Sequence, residues 1–139
     1  MADPAAKLVT KSSAELVAAA RSQVSGLTPL AVATELSCGA LLIDLRERDE
    51  RVQSGRIAGA VHVPRGLLEF AADPGCGAHH PELLPSRRVV LHCGSGGRSA
   101  LAAATLLTMG YESVVYLEGG FAAWKAAGLP VVSAGSAIS

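Results

Sequence analysis

The sequence has few charged residues, few aromatic residues and no long hydrophobic run. Only 17% of its 139 residues are charged, and twelve basic residues against twelve acidic ones leave no net charge. A nucleic-acid-binding domain carries a basic surface, often with a stacking platform, whereas this chain has just five aromatic residues. No apolar run approaches the roughly 18 residues that a transmembrane helix requires. We therefore expect neither a nucleic acid nor a membrane as a partner.

The cysteines and histidines are too few and too scattered for a structural framework. Cys38, Cys76 and Cys93 are an odd number of cysteines without C-x-x-C spacing, which argues against disulfides and against a zinc site. No two histidines lie four positions apart around a carboxylate, so we expect no metal. The amino terminus, MADPAAKLVTKSS, lacks the apolar stretch of a signal peptide. These features together predict a cytoplasmic location.

Short apolar runs alternate with helical patterns along the chain. The runs are too short for helices and predict strands at 24–27, 40–45, 60–63, 89–92 and 113–117. The helical patterns cover 12–23, 28–36, 46–54, 98–109 and 119–128, with a weaker helix opening the loop-rich segment 64–85. This alternation predicts one α/β domain, with a central parallel sheet flanked by helices on both faces.

The segment 92–99, HCGSGGRS, joins a predicted buried strand to the strongest predicted helix. Ligands of open α/β sheets bind at the carboxyl ends of strands, and Cys93 lies at such an end. Three glycines among the next four residues let backbone N–H groups turn inward, and a helix amino terminus favours negative charge. Arg98 adds a cation whose planar fork suits an oxyanion. We therefore predict a nucleophilic Cys93 thiolate beside an anion-binding loop, rather than a buried structural cysteine.

Four motifs are similar, in order, to those of the rhodanese family of sulfurtransferases. They are DLRE at 44–47, GRIAGAVHVP at 55–64, CGSGGRS at 93–99, and LEGG at 117–120, followed by Trp124 and by GLPV at 128–131. The resemblance covers about residues 25–132. It predicts a rhodanese-like domain at 24–132, preceded by an N-terminal helical extension at 1–23 and followed by a flexible tail at 133–139.

The resemblance implies sulfur transfer without a metal or an organic cofactor. Cys93 would attack a small anionic donor such as thiosulfate and take up its sulfane sulfur as a persulfide. The sulfur would then pass to cyanide, a thiol or a protein acceptor. The loop residues that would hold the donor or the anionic sulfur are Gly94, Ser95, Gly96, Gly97, Arg98 and Ser99. The oligomeric state stays open.

Two loop positions leave the identity of the donor open. Many thiosulfate-using members of the family carry a basic residue directly after the cysteine, where this chain has Gly94. A Cys-Gly-Ser-Gly start instead resembles the mercaptopyruvate-using branch, which usually lacks the arginine found here as Arg98. Outside the loop, Arg56 and His62 replace a histidine and an asparagine of the family pattern, and a surface tolerates both changes.

Two other functions compete with sulfur transfer. Protein tyrosine phosphatases use a loop with five residues between cysteine and arginine, whereas four separate Cys93 from Arg98. The longer loop accommodates a tetrahedral phosphate or arsenate, and the shorter one suits a single terminal sulfur. The second alternative is a non-catalytic interaction or regulatory module of the same fold. The intact cysteine and loop argue against it, because such a module has no need of a thiolate site.

Three charged residues are candidates for supporting roles. Asp44 ends a predicted buried strand, where it could hydrogen-bond to the loop amides or to Arg98, or could instead cap the helix that follows. Arg46 is predicted to be a structural ion-pair partner. Arg65 follows Pro64 at another strand end and could attract an anionic donor, although a solvated surface arginine is the simpler expectation.

The remaining cysteines and histidines carry weaker expectations. His79 and His80 belong to a long loop that could cover Cys93 or could simply be exposed. Cys76, in the same loop, could resolve a persulfide on Cys93. Cys38 is predicted to lie in the core at a helix end. His92 is predicted to face away from the site and to hydrogen-bond structurally.

Overall fold

The computed structural model describes residues 9–133 as five strands and six α-helices. The strands are β1 Ser25–Leu27, β2 Leu41–Asp44, β3 Val61–His62, β4 Val89–His92 and β5 Val114–Leu117. The helices are α1 Ser13–Gln23, α2 Pro29–Ser37, α3 Arg48–Ser54, α4 Leu68–Ala72, α5 Gly97–Thr108 and α6 Gly120–Ala126, with a 3-10 turn at Arg65–Leu67 before α4. All but the first residue of the predicted flexible tail, 133–139, lies outside the described residues.

The five strands form one parallel sheet in the order β1-β5-β4-β2-β3. Strand β4 is therefore central, and its last residue, His92, is paired in register with Asp44 at the end of β2. The residues of β2, β4 and β5 are all buried, as expected where helices cover both faces of a parallel sheet. This architecture confirms the predicted α/β class.

Alternate residues of the strands point into two apolar layers. On one face Ile43 and Leu91 pack with α1, α4 and α5, while on the other Leu42 and Val90 pack with α2 and α6. Side chains point to opposite faces at successive positions of a strand, so short apolar runs supply both layers. No helix in residues 9–133 has the length and apolar character needed to cross a membrane.

The predicted N-terminal extension includes a well-formed helix that packs onto the sheet. Ser12 caps α1 by accepting a hydrogen bond from the Glu15 amide at 3.1 Å, and the Glu15 side chain returns to the Ser12 amide. Ala20 and Val24 are buried in the same apolar layer as α5. Helix α1 is therefore held by the core that supports α5 and the segment before it.

The prediction that Cys38 lies in the core is wrong. Cys38 follows the last turn of α2 and is exposed, with its amide bonded to the carbonyls of Thr34 and Glu35. The helix ends at the sheet's amino edge, where the chain turns through Gly39 into β2. An apolar residue at a helix end is buried only if another part of the protein packs over that end, and the end of α2 at Cys38 faces solvent.

Candidate active site

Cys93 lies directly after β4, at the carboxyl edge of the sheet, and its side chain is fully buried. Its Sγ accepts hydrogen bonds from the amides of Gly96 at 3.1 Å and Ser99 at 3.4 Å. The hydroxyl of Ser99 lies 3.5 Å from the same sulfur and donates to the Gly96 carbonyl at 3.1 Å. Backbone amides at a helix amino terminus carry partial positive charge, so the sulfur accepts its hydrogen bonds at the positive end of α5.

The loop after Cys93 curves around the sulfur because Gly96 takes a left-handed backbone conformation, which residues with a side chain rarely adopt. Gly96 has φ of 111°, which turns its amide toward Sγ. Gly94 is half-buried, Ser95 is exposed, and Gly97 opens α5. The predicted loop residues thus lie on one side of the sulfur, and the amides of Gly96 and Ser99 contact it directly.

The start of α6 packs against this loop and hydrogen-bonds to its backbone. Phe121 donates its amide hydrogen to the Cys93 carbonyl at 2.7 Å, and Ala122 does the same to Gly94 at 3.1 Å. A Cβ placed on Gly120 would lie 2.6 Å from the Gly94 carbonyl carbon and 2.7 Å from the Cys93 carbonyl oxygen. The closing LEGG motif therefore supplies Gly120, which has no side chain, at the point where the backbone of α6 meets the backbone of the Cys93 loop.

Arg98 forms a two-point ion pair that sequence reasoning missed. Its two terminal nitrogens donate to the Glu50 carboxylate at 2.8 and 2.7 Å. These hydrogen bonds lower the pKa of Glu50 to about 2 and raise the pKa of Arg98. The nearby Cys93 makes a smaller contribution to the raised pKa of Arg98. The pair lies over Gly94, since a Cβ placed there would be 3.1 Å from an Arg98 nitrogen. Glu50 therefore balances the charge of the loop arginine.

The structure places Asp44 differently from either expectation. Its fully buried carboxylate accepts hydrogen bonds from Arg46 at 3.0 and 3.1 Å and from Arg51 at 3.1 Å, rather than from the loop amides or Arg98. Residue Glu47 takes the cap position of α3, so the helix begins at Arg48. Burial raises the pKa of Asp44, but the hydrogen bonds from Arg46 help to bring it below the usual value.

Arg46 is buried between this carboxylate and the helix that braces the loop. Its side chain is 2% exposed, donates to the Gly55 carbonyl at 2.8 Å, and lies with its Cζ 4.1 Å from the centre of the Phe121 ring. The His92 ring also stacks on Phe121, with the two ring centres 6.3 Å apart. Ionic and aromatic contacts therefore join the end of β2 to α6 beneath the Cys93 loop.

His92 is fully buried in an environment that keeps it neutral. Its Nδ1 lies 3.4 Å from the Cys93 carbonyl, and its Nε2 lies 3.6 Å from an Asp44 oxygen without a hydrogen-bond partner among residues 9–133. Burial is the largest effect and lowers the pKa of His92 from 6.5 to about 4, although the charge of Asp44 opposes it. The residue next to Cys93 thus carries no charge at neutral pH.

The neutral state of His92 predicts a loss of stability on acidification. Between pH 6.5 and about 4 the unfolded chain binds a proton at His92 that the folded chain does not, so the free energy of unfolding falls as the pH falls. The full window is worth about 3 kcal/mol. Urea unfolding of wild type and His92→Gln from pH 7 to 4.5 checks this. The variant should lose markedly less stability over that range, His80→Gln should behave as wild type, and equal slopes would contradict the assignment.

Three other candidates lie away from the sulfur. Arg65 donates to Glu69 at 2.9 Å and to Thr105 at 3.3 Å, so its charge is already paired. His79 and His80 line an apolar cavity of about 340 Å³ formed by residues 62–81, rather than covering the Cys93 loop.

Both histidines contact their own loop, His79 at the Leu83 carbonyl and His80 at the Glu82 amide. Cys76 is half-buried in the turn before them, and its sulfur is free. Within residues 9–133 no cluster of three His, Cys, Asp or Glu side chains could hold a metal ion.

Comparison with known proteins gives one family. Residues 28–127 match the Rhodanese-like domain family. A sulfurtransferase of Allochromatium vinosum is 38% identical over 93 residues, which cover 67% of this chain and 78% of that protein. A chloroplastic thiosulfate sulfurtransferase of Arabidopsis thaliana is 32% identical over 120 residues, covering 81% of this chain and 97% of that one.

A solved structure with high similarity carries a different description. It is a protein of unknown function from Rhodopseudomonas palustris, described as a possible tyrosine phosphatase. The two chains are 34% identical, with a TM-score of 0.85, and the match covers 91% of this chain and 98% of the other.

Proposed function

The chain belongs to the rhodanese-like domain family, and we propose that it is a sulfurtransferase that carries sulfane sulfur on Cys93. The observation that carries this proposal is the hydrogen bonding of Cys93 Sγ to the amides of Gly96 and Ser99 at the start of α5. Sulfurtransferases among its relatives support the same class of reaction. The three cysteines are free, which suits a reaction in the reducing cytoplasm.

The reaction proceeds in two displacements at sulfur. The Cys93 thiolate attacks the terminal sulfur of thiosulfate, the S–S bond to the sulfonate breaks, and sulfite leaves with the bonding electron pair. The product is the Cys93 persulfide anion. Cyanide or a thiolate then attacks the outer sulfur, forms thiocyanate or a new persulfide, and returns the Cys93 thiolate. Charge is conserved in both steps, and no proton or external oxidant is needed.

The loop stabilises the anionic sulfur through both steps. The Gly96 and Ser99 amides that contact Sγ lie at a helix amino terminus, where partial positive charge favours a thiolate and a persulfide alike. The Arg98–Glu50 pair holds the outer side of the loop over Gly94. Donor binding then needs little rearrangement of the backbone, because the start of α6 fixes the carbonyls of Cys93 and Gly94.

Phosphate ester hydrolysis is the second candidate, favoured by the description of the Rhodopseudomonas palustris neighbour. A direct test compares thiosulfate and mercaptopyruvate, each with cyanide as acceptor, against p-nitrophenyl phosphate under the same conditions. We expect thiocyanate from at least one donor, with negligible phosphatase turnover, since four residues rather than five separate Cys93 from Arg98. Phosphatase turnover dependent on Cys93, without thiocyanate, would replace the proposal.

Arg98→Ala should weaken donor capture more than folding. The substitution leaves the Glu50 carboxylate unbalanced beside the loop, where it repels an anionic donor, so the KM for thiosulfate should rise about tenfold. The two side chains are 39% and 36% exposed, and exposed pairs stabilise a fold by about 1 kcal/mol or less. Kinetics and urea unfolding separate these effects.

Combining Arg98→Ala with Glu50→Gln should recover part of the lost affinity, because the repelling charge is removed. If Arg98→Ala instead unfolds the protein at an unchanged KM, the arginine serves the fold and has no role in donor capture.

A further inference from the structure

Helix α1 lies outside the residues that match the family, yet its last turns flank the Cys93 loop. A Cβ placed on Gly97 would lie 3.9 Å from Val17 Cγ2, and one placed on Gly96 would lie 3.8 Å from an Arg21 guanidinium nitrogen. Ala20 anchors this part of α1 in the apolar layer shared with α5. The extension thus brings a cationic side chain to the loop whose amides hold Sγ.

Arg21 differs from Arg98, Arg65 and the two arginines that contact Asp44 because no carboxylate among the described residues forms an ion pair with it. It is exposed and forms no ion pair within the described residues 9–133. Arg98 is paired with Glu50, and Arg65 with Glu69. Arg21 therefore offers an approaching anion a guanidinium that no ion pair engages, while Lys125 and Glu50 contribute opposite charges to the cavity beside Gly94.

The surroundings of Arg21 leave room for a small anion. Arg21, Tyr116, Glu118 and Gly119 line a cavity of about 330 Å³. The Glu118 side chain lies over β1, where a Cβ placed on Gly26 would be 2.5 Å from its Cγ, and it forms no ion pair with Arg21. The contacts through Gly96 put the guanidinium within about 10 Å of Cys93 Sγ, comparable to the screening length of about 10 Å at 0.1 M salt.

We propose that Arg21 selects anionic sulfur donors by binding their oxoanion end beside the Cys93 loop. This inference rests on the proposed sulfur transfer. A thiosulfate dianion must approach a thiolate, and a sulfite dianion must then leave beside a persulfide anion. A guanidinium at the loop that is not held in an ion pair reduces this repulsion for charged donors and does nothing for neutral reagents.

Alkylation of Cys93 tests the charge selection without relying on sulfur transfer. The same thiolate displaces iodide from iodoacetate and from iodoacetamide, which differ in charge, and peptide mass analysis follows Cys93 separately from the exposed Cys38. In Arg21→Gln the rate with iodoacetate relative to iodoacetamide should fall about three- to tenfold, with the iodoacetamide rate unchanged. Arg21→Lys should restore most of the ratio, and 1 M salt should abolish the difference.

The matched control is Arg87→Gln, which removes an equal charge just before β4, at the opposite edge of the sheet. It should leave the ratio of the two alkylation rates unchanged. An unchanged ratio in Arg21→Gln would overturn the proposal. Equal losses with both reagents would also overturn it, because they would show that Arg21 shapes the loop rather than selecting charge.

Steady-state kinetics then connects this selection to sulfur transfer. Arg21→Gln should raise the KM for thiosulfate about three- to tenfold while kcat stays within about twofold, because Arg21 holds the non-reacting oxoanion end equally in the bound donor and in the transition state. A chain without transfer activity would refute the proposed function, and the alkylation ratio would still report on Arg21. An active chain whose KM ignores Arg21→Gln would refute only the present inference.

Discussion

Replacing Cys93 by serine is expected to abolish sulfur transfer while leaving the fold intact. A serine hydroxyl is not ionised at neutral pH and cannot form a persulfide, so kcat/KM for thiosulfate and cyanide should fall by at least about a thousandfold. The Gly96 and Ser99 amides that contact Sγ can donate to a serine oxygen instead, so the buried site keeps its hydrogen bonds. Kinetics together with urea unfolding measures both parts of the prediction.

Cys38 and Cys76 provide matched controls for this experiment. Cys38→Ser changes an exposed residue at the end of α2 and should leave transfer unchanged. Cys76→Ser should also retain transfer to cyanide, because cyanide removes the sulfur without a second thiol. If Cys93→Ser retained activity and either control lost it, then Cys38 or Cys76 rather than Cys93 would carry the sulfur.

Removing the Asp44 carboxylate is expected to cause the largest loss of stability. Asp44→Ala leaves the Arg46 guanidinium, which is 2% exposed, with the Gly55 carbonyl and the Phe121 ring as its remaining contacts. Removing one partner of a buried ion pair costs about 3–5 kcal/mol. The change in the free energy of unfolding, measured with urea at pH 7, gives the value directly.

Glu35→Ala is the control for the Asp44 experiment, because it breaks the partly exposed Glu35–Arg88 pair at the other edge of the sheet. It should cost about 1 kcal/mol or less. Should Asp44→Ala fail to fold, Asp44→Asn keeps one of the two acceptor oxygens beside Arg46 and should fall between wild type and alanine. A loss below about 1 kcal/mol in Asp44→Ala would show that Arg46 finds another partner.

The sequence was sufficient to predict the alternation of strands and helices and the loop around Cys93. Both follow from local patterns: apolar runs too short for helices, and glycines between a strand and a helix. The central place of β4 brings Asp44, His92 and Cys93 together at the carboxyl edge of the sheet. Local spacing carries this information without any knowledge of distant contacts.

The partners of the charged residues depend on contacts between distant segments, which local spacing does not encode. Arg98 and Glu50 are 48 positions apart and meet because α3 packs beside the start of α5. Arg46 lies over Phe121, and Gly120 contacts the Cys93 loop, through the packing of α6 beneath that loop. Asp44 is different, because its partners Arg46 and Arg51 lie only two and seven positions away along the chain, and it pairs with them instead of the loop.

Intact-mass analysis after incubation with thiosulfate, and separately with mercaptopyruvate, tests the central claim most directly. We predict an adduct of one sulfur atom on Cys93 that cyanide removes as thiocyanate, with the more effective donor identifying the substrate. Absence of an adduct with either donor, while Cys93 remains open to alkylation, would contradict sulfur transfer and favour oxyanion chemistry or a non-catalytic module.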